Sequence, residues 1–330
     1  MSLWTLAWQR PRRDRVGLAS GAIVLLFVAL AAASATGWVA GDWADEVAVS
    51  YAPPAFLGSA SVQEDSESKN TSEPQEDYGV ADPLAPELAE IRATLVAQVH
   101  SGARQQSLLL GADKWGRDVV KKAIKGTETS LVVGLAAATL AAFLGTLFGA
   151  LAGYYGGWVD DFFNWLYSVF TSIPYLLLVL AIAAVLNQKG ILTVVLILGL
   201  TGWTGIFRLI RAEYLKHKVR EYVLAADAVG ASHARRMLAH ILPNASHVVL
   251  VQLSLHVVLF MKSEVILSFL GFGVGVDTVS WGSMLAEAPS ELILGTWWQI
   301  AAATAAMALA VTAFSLFTDA VRDALDPRLQ

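Results

Sequence analysis

The chain has no cysteine. That excludes disulfides, thiol nucleophiles and thiolate metal sites together. It is also poor in charge, with only 15% of its 330 residues Asp, Glu, Lys or Arg against 55% hydrophobic. A mean hydropathy of +0.54 is too apolar for a soluble domain of this size, so the composition predicts an integral membrane protein, and the long runs read below as helical spans make it an all-α one. No Gly-Lys dipeptide occurs, and without it there is no phosphate-cradling P-loop and no ATPase site. The six histidines, His100, His217, His233, His240, His247 and His256, show no metal-ligand spacing. His233, His240 and His247 recur every seven residues, but Pro243 is expected to interrupt any one helix carrying all three. No catalytic group, metal or other cofactor is therefore expected, and nothing suggests a nucleic-acid partner.

What is present is a series of long apolar runs. Arg10, Arg12, Arg13 and Arg15 precede a run from Val16 to about Val39. A basic flank marks the cytoplasmic side of a spanning helix, which puts the N-terminus inside. The alternative is a cleaved signal peptide, with Ala33-Ser34-Ala35 as the cleavage site. The run of 24 residues exceeds the usual signal core of about 7–15 residues, which favours an anchor. Five further runs follow at about Thr129–Tyr154, Asp161–Leu186, Ile191–Ile210, Val248–Leu270 and Trp297–Thr318. Each reaches the roughly 20 residues a helix needs to cross the hydrocarbon. The expected organisation is a first segment over 1–39, an extracytoplasmic loop over 40–127, and a membrane core over 128–330, six spans in all, with both termini cytoplasmic.

The loop over 40–127 is the least apolar part. Between Gly41 and Tyr78 it holds nine acids against the single Lys69. Such a composition does not bury enough apolar surface to offset ordering entropy, so 59–78 is expected to be disordered. Leu84, Leu88, Ile91, Leu95 and Val99 then recur at the spacing of an amphipathic helix. In the second span Ala137, Ala141, Gly145, Gly149 and Gly153 repeat every four residues, a smooth face for close helix approach in lipid. Pro174 in the third span is expected to kink it, with a gate or a static bend as the two readings. Gln252, His256 and Glu264 share one face of the fifth span while Lys262 points elsewhere. They are either a pathway lining or a polar lock between helices.

The fourth and fifth runs are joined by a basic segment of 37 residues, Arg208–Asn244. Arg208, Arg211, Lys216, Lys218, Arg220, Arg235 and Arg236 outnumber Glu213, Glu221 and Asp227, which makes the segment cytoplasmic by the same charge rule. The alanine-rich stretch from Glu221 to Val229 suits a helix that Gly230 ends through a left-handed cap. Ser232 can cap a second short helix through about His240, and Leu242-Pro243 is expected to stop it. A short helix with small exposed side chains suits capture in a partner's groove.

These residues resemble a known family. EYVLAADAVGAS at Glu221–Ser232, followed by HILPN, is similar to the EAA loop of ABC importer permeases of the dipeptide, oligopeptide and nickel group. LLLGADKWGRDV (Leu108–Val119), GYYGGWVD (Gly153–Asp160), TSIPYLLLVLAI around Pro174, SFLGFGV (Ser268–Val274), SWGSML (Ser280–Leu285) and DAVRDALDPRL (Asp319–Leu329) match the same group. The resemblance implies a type I importer fold with a cytoplasmic coupling loop at about 211–247. The chain would be the second, C-type permease of a pair, in a bacterial or archaeal plasma membrane. Its implied partners are a homologous permease, two cytoplasmic ABC ATPases and an extracytoplasmic solute-binding protein, besides membrane lipid. The cargo would be a di- or oligopeptide, with a nickel chelate or another small solute as the alternative. ATP hydrolysis would sit on the ATPase chains, so this chain is not expected to be an enzyme. Tyr222, Ala225, Ala226, Asp227, Gly230 and Pro243 stand at the positions implied to engage an ATPase. Leu224 replaces the acidic residue of the signature, and Asp227 stands where the group often has arginine. The remaining reading is a membrane scaffold that holds a cytoplasmic partner without moving solute.

Overall fold

The computed structural model describes residues 15–58, 104–275 and 277–325. The expectations for 59–78 and for the helical pattern over 84–99 lie outside those residues. The described residues are helical, with isolated β-bridges in place of a sheet. The elements used below are α1 (Arg15–Ala35), α2 (Val119–Tyr155), α3 (Gly157–Thr171), α4 (Tyr175–Leu186), α5 (Ile191–Thr201), α6 (Thr204–Lys218), α7 (Glu221–Ala228), α8 (His233–Phe269), α9 (Trp281–Ile293) and α10 (Trp298–Leu325). Four of them, α1, α2, α8 and α10, are long and apolar enough to cross a bilayer alone. The pairs α3–α4 and α5–α6 pass the same test only together. Counting each pair as one span gives the six expected segments.

The central element is α2, which touches α1, α3, α5, α6, α8, α9 and α10. It starts ten residues before the expected Thr129, so the boundary placed at 127/128 falls inside the helix. Asp118 begins it, its carboxylate accepting from the Val120 and Lys121 amides at 2.7 and 3.4 Å. This satisfies donors that the first turn otherwise leaves open. Gly156 and Gly157, both at positive φ, end it and turn the chain into α3, a backbone path that side-chain-bearing residues take only under strain.

The small-residue stripe on α2 packs against α6. A Cβ at Gly149 would lie 2.8 Å from the Phe207 carbonyl oxygen, and one at Gly153 2.7 Å from that of Arg211. Backbones can approach this closely only where no side chain intervenes. Beside this seam Phe148, Phe163, Phe170, Trp203 and Phe207 form an aromatic cluster joining α2, α3 and α6.

Two prolines behave unlike the expectations. The third span is not a kinked helix but two helices at 84°, with Pro174 as the N-cap of α4. The residue before a proline is biased away from helical backbone, so α3 ends at Thr171 and α4 starts afresh. Pro243, by contrast, does not stop its helix. The stretch Arg236–Ile241 widens to π geometry and the chain continues as α-helix from Leu242 to Phe269. A proline offers no amide and crowds the carbonyl four residues back. The wider π turn just upstream accommodates both. His233, His240 and His247 therefore do ride one continuous rod, against expectation.

The two ends of the bundle differ. At one end residues 42–58 and 104–118 form a cap tied by Ala48 N to Gly116 O at 3.0 Å, Ala112 N to Ala52 O at 2.8 Å, and Trp298 Nε1 to Ala112 O at 2.7 Å. At the other end α6, α7 and the head of α8 gather around the C-terminal turn of α2.

Candidate docking surface

α6 leaves the bundle anchored at both sides. Arg211 grips Asp160 of α3 with two parallel bonds, Nε to Oδ1 at 2.5 Å and Nη2 to Oδ2 at 2.6 Å. The fork-to-carboxylate geometry is the strong form of an ion pair. One turn on, the buried Tyr214 hydroxyl donates to the Met237 carbonyl at 3.1 Å, tying α6 to α8. After Lys218 the chain turns and α7 begins at Glu221, an acid in the first turn where a helix favours negative charge.

α7 ends as the residue pattern predicts. Gly230 has φ of +78°, its amide donates to Asp227 O at 2.8 Å, and Ala231 N donates to Ala226 O at 2.9 Å. These bonds close the helix through a left-handed residue. Ser232 Oγ then accepts from the Arg235 amide at 3.3 Å and starts α8.

Two residues of this short helix are buried, and two more bond to the protein alongside them. Val223 and Ala226 are buried, at 3% and 7% exposure. Tyr222, Leu224, Ala225 and Asp227 are exposed, and Val229 just beyond is 85% exposed. Of the residues expected to meet a partner, Ala226 thus packs inward, Ala225 lies on the open side, and Tyr222 and Asp227 flank the buried pair. Pro243 is exposed nearby on α8. The open side carries the exposed Glu221, Leu224, Ala225 and Ala228, and Arg220 and Arg235 are exposed just before and after the helix.

Polar contacts fix how α7 sits. The Tyr222 hydroxyl pairs with His217 Nδ1 at 2.8 Å and accepts from Asn244 Nδ2 at 3.4 Å. Burial pushes that phenol above its ordinary range, with Asn244 and Arg220 opposing. Asp227 forms an ion pair with Arg236 at 2.5 Å. Tyr154, at the end of α2, meets His233 Nδ1 at 3.0 Å.

The residues expected on a pathway are dispersed. Pro174 is exposed at the α3–α4 bend. His256 is buried, bonds Gln252 O through Nδ1 at 2.7 Å and meets the Phe260 ring edge-on at 5.5 Å, while Gln252 is half-buried. Glu264 is fully buried, with Ser130 Oγ donating at 3.0 Å and Ser268 Oγ at 2.7 Å. It joins α8 to α2, the arrangement of the polar lock. Lys262 is exposed. His256 thus bonds to Gln252, while Glu264, two turns along the helix, has separate partners in Ser130 and Ser268.

The cap end holds a cluster that inspection of the residues alone missed. Lys122 Nζ donates to Asp113 Oδ2 at 2.8 Å, Glu287 Oε2 at 2.7 Å and Gln299 Oε1 at 3.0 Å. Gln299 Nε2 in turn donates to Glu287 and Glu291 at 3.0 and 3.2 Å. Burial pushes the Glu291 carboxyl up to about 7, opposed by Lys122 and reinforced by Glu287 and Asp113. The available signal was a pair of acids at Glu287 and Glu291, one turn apart in a short helix. Among the described residues no group of His, Cys, Asp or Glu is arranged to hold a metal ion.

Comparison with known proteins places these features in context. Residues 145–330 match the family described as binding-protein-dependent transport system inner membrane component. The chain is 36% identical over 241 residues to the dipeptide transport system permease protein DppC of Bacillus subtilis, covering 70% of this chain and 75% of that protein. It is 33% identical over 220 residues to the oligopeptide transport system permease protein OppC of the same organism, covering 67% and 72%. It is also 34% identical over 221 residues to the glutathione transport system permease protein GsiD of Pectobacterium atrosepticum, covering 67% and 73%.

Proposed function

The chain belongs to the family of binding-protein-dependent transport system inner membrane components, and we propose that it is a permease subunit of an ATP-driven importer of short peptides. Peptide cargo is supported by its likeness to dipeptide, oligopeptide and glutathione permeases. The chain forms part of the translocation path with a second, homologous permease. Two ATPase subunits bind on the loop side, and a solute-binding protein delivers cargo at the cap side. The basic segment and the basic N-terminal flank argue for a cytoplasmic loop and cytoplasmic termini. The chain itself carries no ATPase site; hydrolysis belongs to the partners. In this reading the chain from 40 to the start of α2 at Val119 lies outside, and α2 onward forms the membrane core.

The observation that carries this reading is the presentation of α7. Val223 and Ala226 seat it on its own protein, with Tyr222 and Asp227 bonded beside them, while Glu221, Leu224 and Ala225 remain open. A helix so held is a rigid part with an unused face, the form taken by helix-in-groove recognition. Nucleotide-driven closure of the ATPases would move α7 and, through it, α6 and α8. Alternation of access then follows as a change in the population of rigid-body states, biased by a ligand bound on other chains.

Gly230 supplies the test. Space around it is open, so a substitution acts through its positive φ alone. Gly230→Val is expected to abolish labelled-dipeptide uptake and weaken co-purification of the ATPases, with membrane insertion intact. Gly230→Asn, which tolerates that backbone region, is expected to retain most uptake. Normal uptake by Gly230→Val would overturn a coupling role for α7.

A further inference from the structure

α7 and the head of α8 are joined covalently only by the turn around Gly230, a poor conductor of force. Two side-chain contacts bridge the gap, the Asn244 amide to the Tyr222 hydroxyl at 3.4 Å and a closer, charged one made by Arg236. Arg236 stands on the π stretch of α8 with its side chain 12% exposed, and its Nη1 reaches Asp227 Oδ1 on α7 at 2.5 Å. Its other terminal nitrogen, Nη2, lies 3.0 Å from His233 Nδ1. Its guanidinium carbon sits 5.9 Å from the centre of the Tyr154 ring, at the end of α2. Lys218 approaches the same ring at 5.8 Å, and the Tyr154 hydroxyl pairs with His233 at 3.0 Å.

From this geometry we infer that Arg236 is a positioning residue for coupling, the link that fixes the angle of α7 against α8 and the end of α2. This inference rests on α7 being the element an ATPase grips. The side-chain type is suited to the task. A guanidinium is a planar fork whose two terminal nitrogens serve two partners at a fixed angle while its face lies on an aromatic ring. A lysine ammonium at 236 would keep the charge and lose the fixed angle. The pair also accounts for Asp227: with half of that carboxylate open to solvent, its contribution to stability is small. Its direction, from the seated helix to the membrane rod, is what a transmitting contact requires.

The test uses the complete complex of both permeases, the ATPases and the binding protein in proteoliposomes, scoring labelled dipeptide taken up per ATP hydrolysed. Arg236→Lys is expected to retain the ATPases at the wild-type ratio on purification, with uptake per ATP falling about tenfold, within the usual range of coupling between sites, and Asp227→Asn is expected to lower uptake per ATP by a similar factor. The exchanged pair Asp227→Arg with Arg236→Asp is expected to recover part of the loss, which a merely destabilised loop would not do. Wild-type uptake per ATP in Arg236→Lys overturns the inference and leaves the docking role of α7 standing; should that variant fail to assemble, wild-type uptake per ATP in Asp227→Asn overturns it equally. Failure of the ATPases to co-purify even with the wild-type chain overturns the docking role itself, and the inference with it.

Discussion

Replacing Lys122 by methionine takes the cation out of a cluster that has little access to water. The lysine side chain is 5% exposed, Asp113 is 0% exposed and Glu287 is 30% exposed. Glu287 keeps some solvent and a second cation, Lys114 at 3.4 Å, so the loss falls mainly on Asp113. Its Oδ1 accepts from the Trp115 and Arg117 amides at 2.8 and 3.0 Å, but Oδ2 is left facing a thioether. Removing one partner of a buried pair costs about 3–5 kcal/mol. For a chain of this size that corresponds to a fall of about 10 °C in Tm. Asp113→Asn in the same background restores a neutral group while its Oδ1 still serves both amides. The double variant is expected to recover about 1–3 kcal/mol, the residue being an amide donor without a partner. Thermal unfolding of the detergent-solubilised permease, followed by fluorescence-detected size exclusion, reads both values. A single variant within about 1 kcal/mol of wild type, or a double variant as unstable as the sum of its parts, would refute the view that a buried charge pair holds the cap to α2, α9 and α10.

Three other outcomes are expected. Gly149→Ala places a Cβ against the backbone of α6, whereas Gly134→Ala meets chiefly the Met261 side chain, which can swing; the first should cost about 1–3 kcal/mol and the second less, by thermal unfolding. Glu264→Ala strands the Ser130 and Ser268 hydroxyls and opens a cavity, costing about 2–5 kcal/mol, while Glu264→Gln, which can still pair with them, should lose less in the same assay. Glu291 is protonated more readily in the folded chain than in the unfolded one, its carboxyl rising from 4.5 to about 7, so wild-type stability should fall as pH rises through that window and then level off. Glu287 does not share the window, because Lys122 holds it below its ordinary range despite burial. Glu291→Gln should flatten the slope, and an unchanged pH profile would count against a buried Glu291.

Hydropathy located the spans because lipid imposes length and apolarity on any helix that crosses it. It failed at the start of α2, where Lys121, Lys122, Lys125 and Glu128 interrupt the apolar run although Asp118 marks the true beginning. The two prolines show why a local rule is not enough. Ile173 and Pro174 are exposed, so nothing opposes the break between α3 and α4. Around Pro243, Met237, Ile241 and Ala245 are buried, and their packing sustains a helix that the proline alone would end. The loop's helix and its glycine cap were readable from residue types. Which alanine faces inward was not, because eight alanine-rich residues carry no clear apolar stripe. Asp227 and Arg236 lie on opposite sides of the glycine turn, outside the helical spacing that exposes ion pairs in a sequence. The Lys122 cluster joins residues 9, 165 and 177 positions apart, which no local pattern reveals.

The architecture separates stiff parts from jointed ones. α8 has 37 residues in one rod, about 55 Å at the usual rise, against a hydrocarbon core of about 30 Å. It therefore runs from the loop, where Arg236 meets α7, to the level of Glu264, where the carboxylate binds Ser130 of α2. α1, α2 and α10 are likewise unbroken, whereas α3–α4 bends by 84° and α5–α6 by 42°. Force applied at α7 enters α6 and α8 together. α6 is bound to α2 along the glycine seam and to α3 through Arg211 and Asp160, so its lower half cannot slide alone. Packed helices resist continuous deformation, and large changes of backbone angle collect at the ends of elements. The residues that must absorb any such motion are then those at the two bends, Ser172–Pro174 and Gly202–Trp203. At the second of these the Phe260 ring of α8 lies so close to Gly202 that a Cβ there would meet it, which makes the rod itself a stop for the joint.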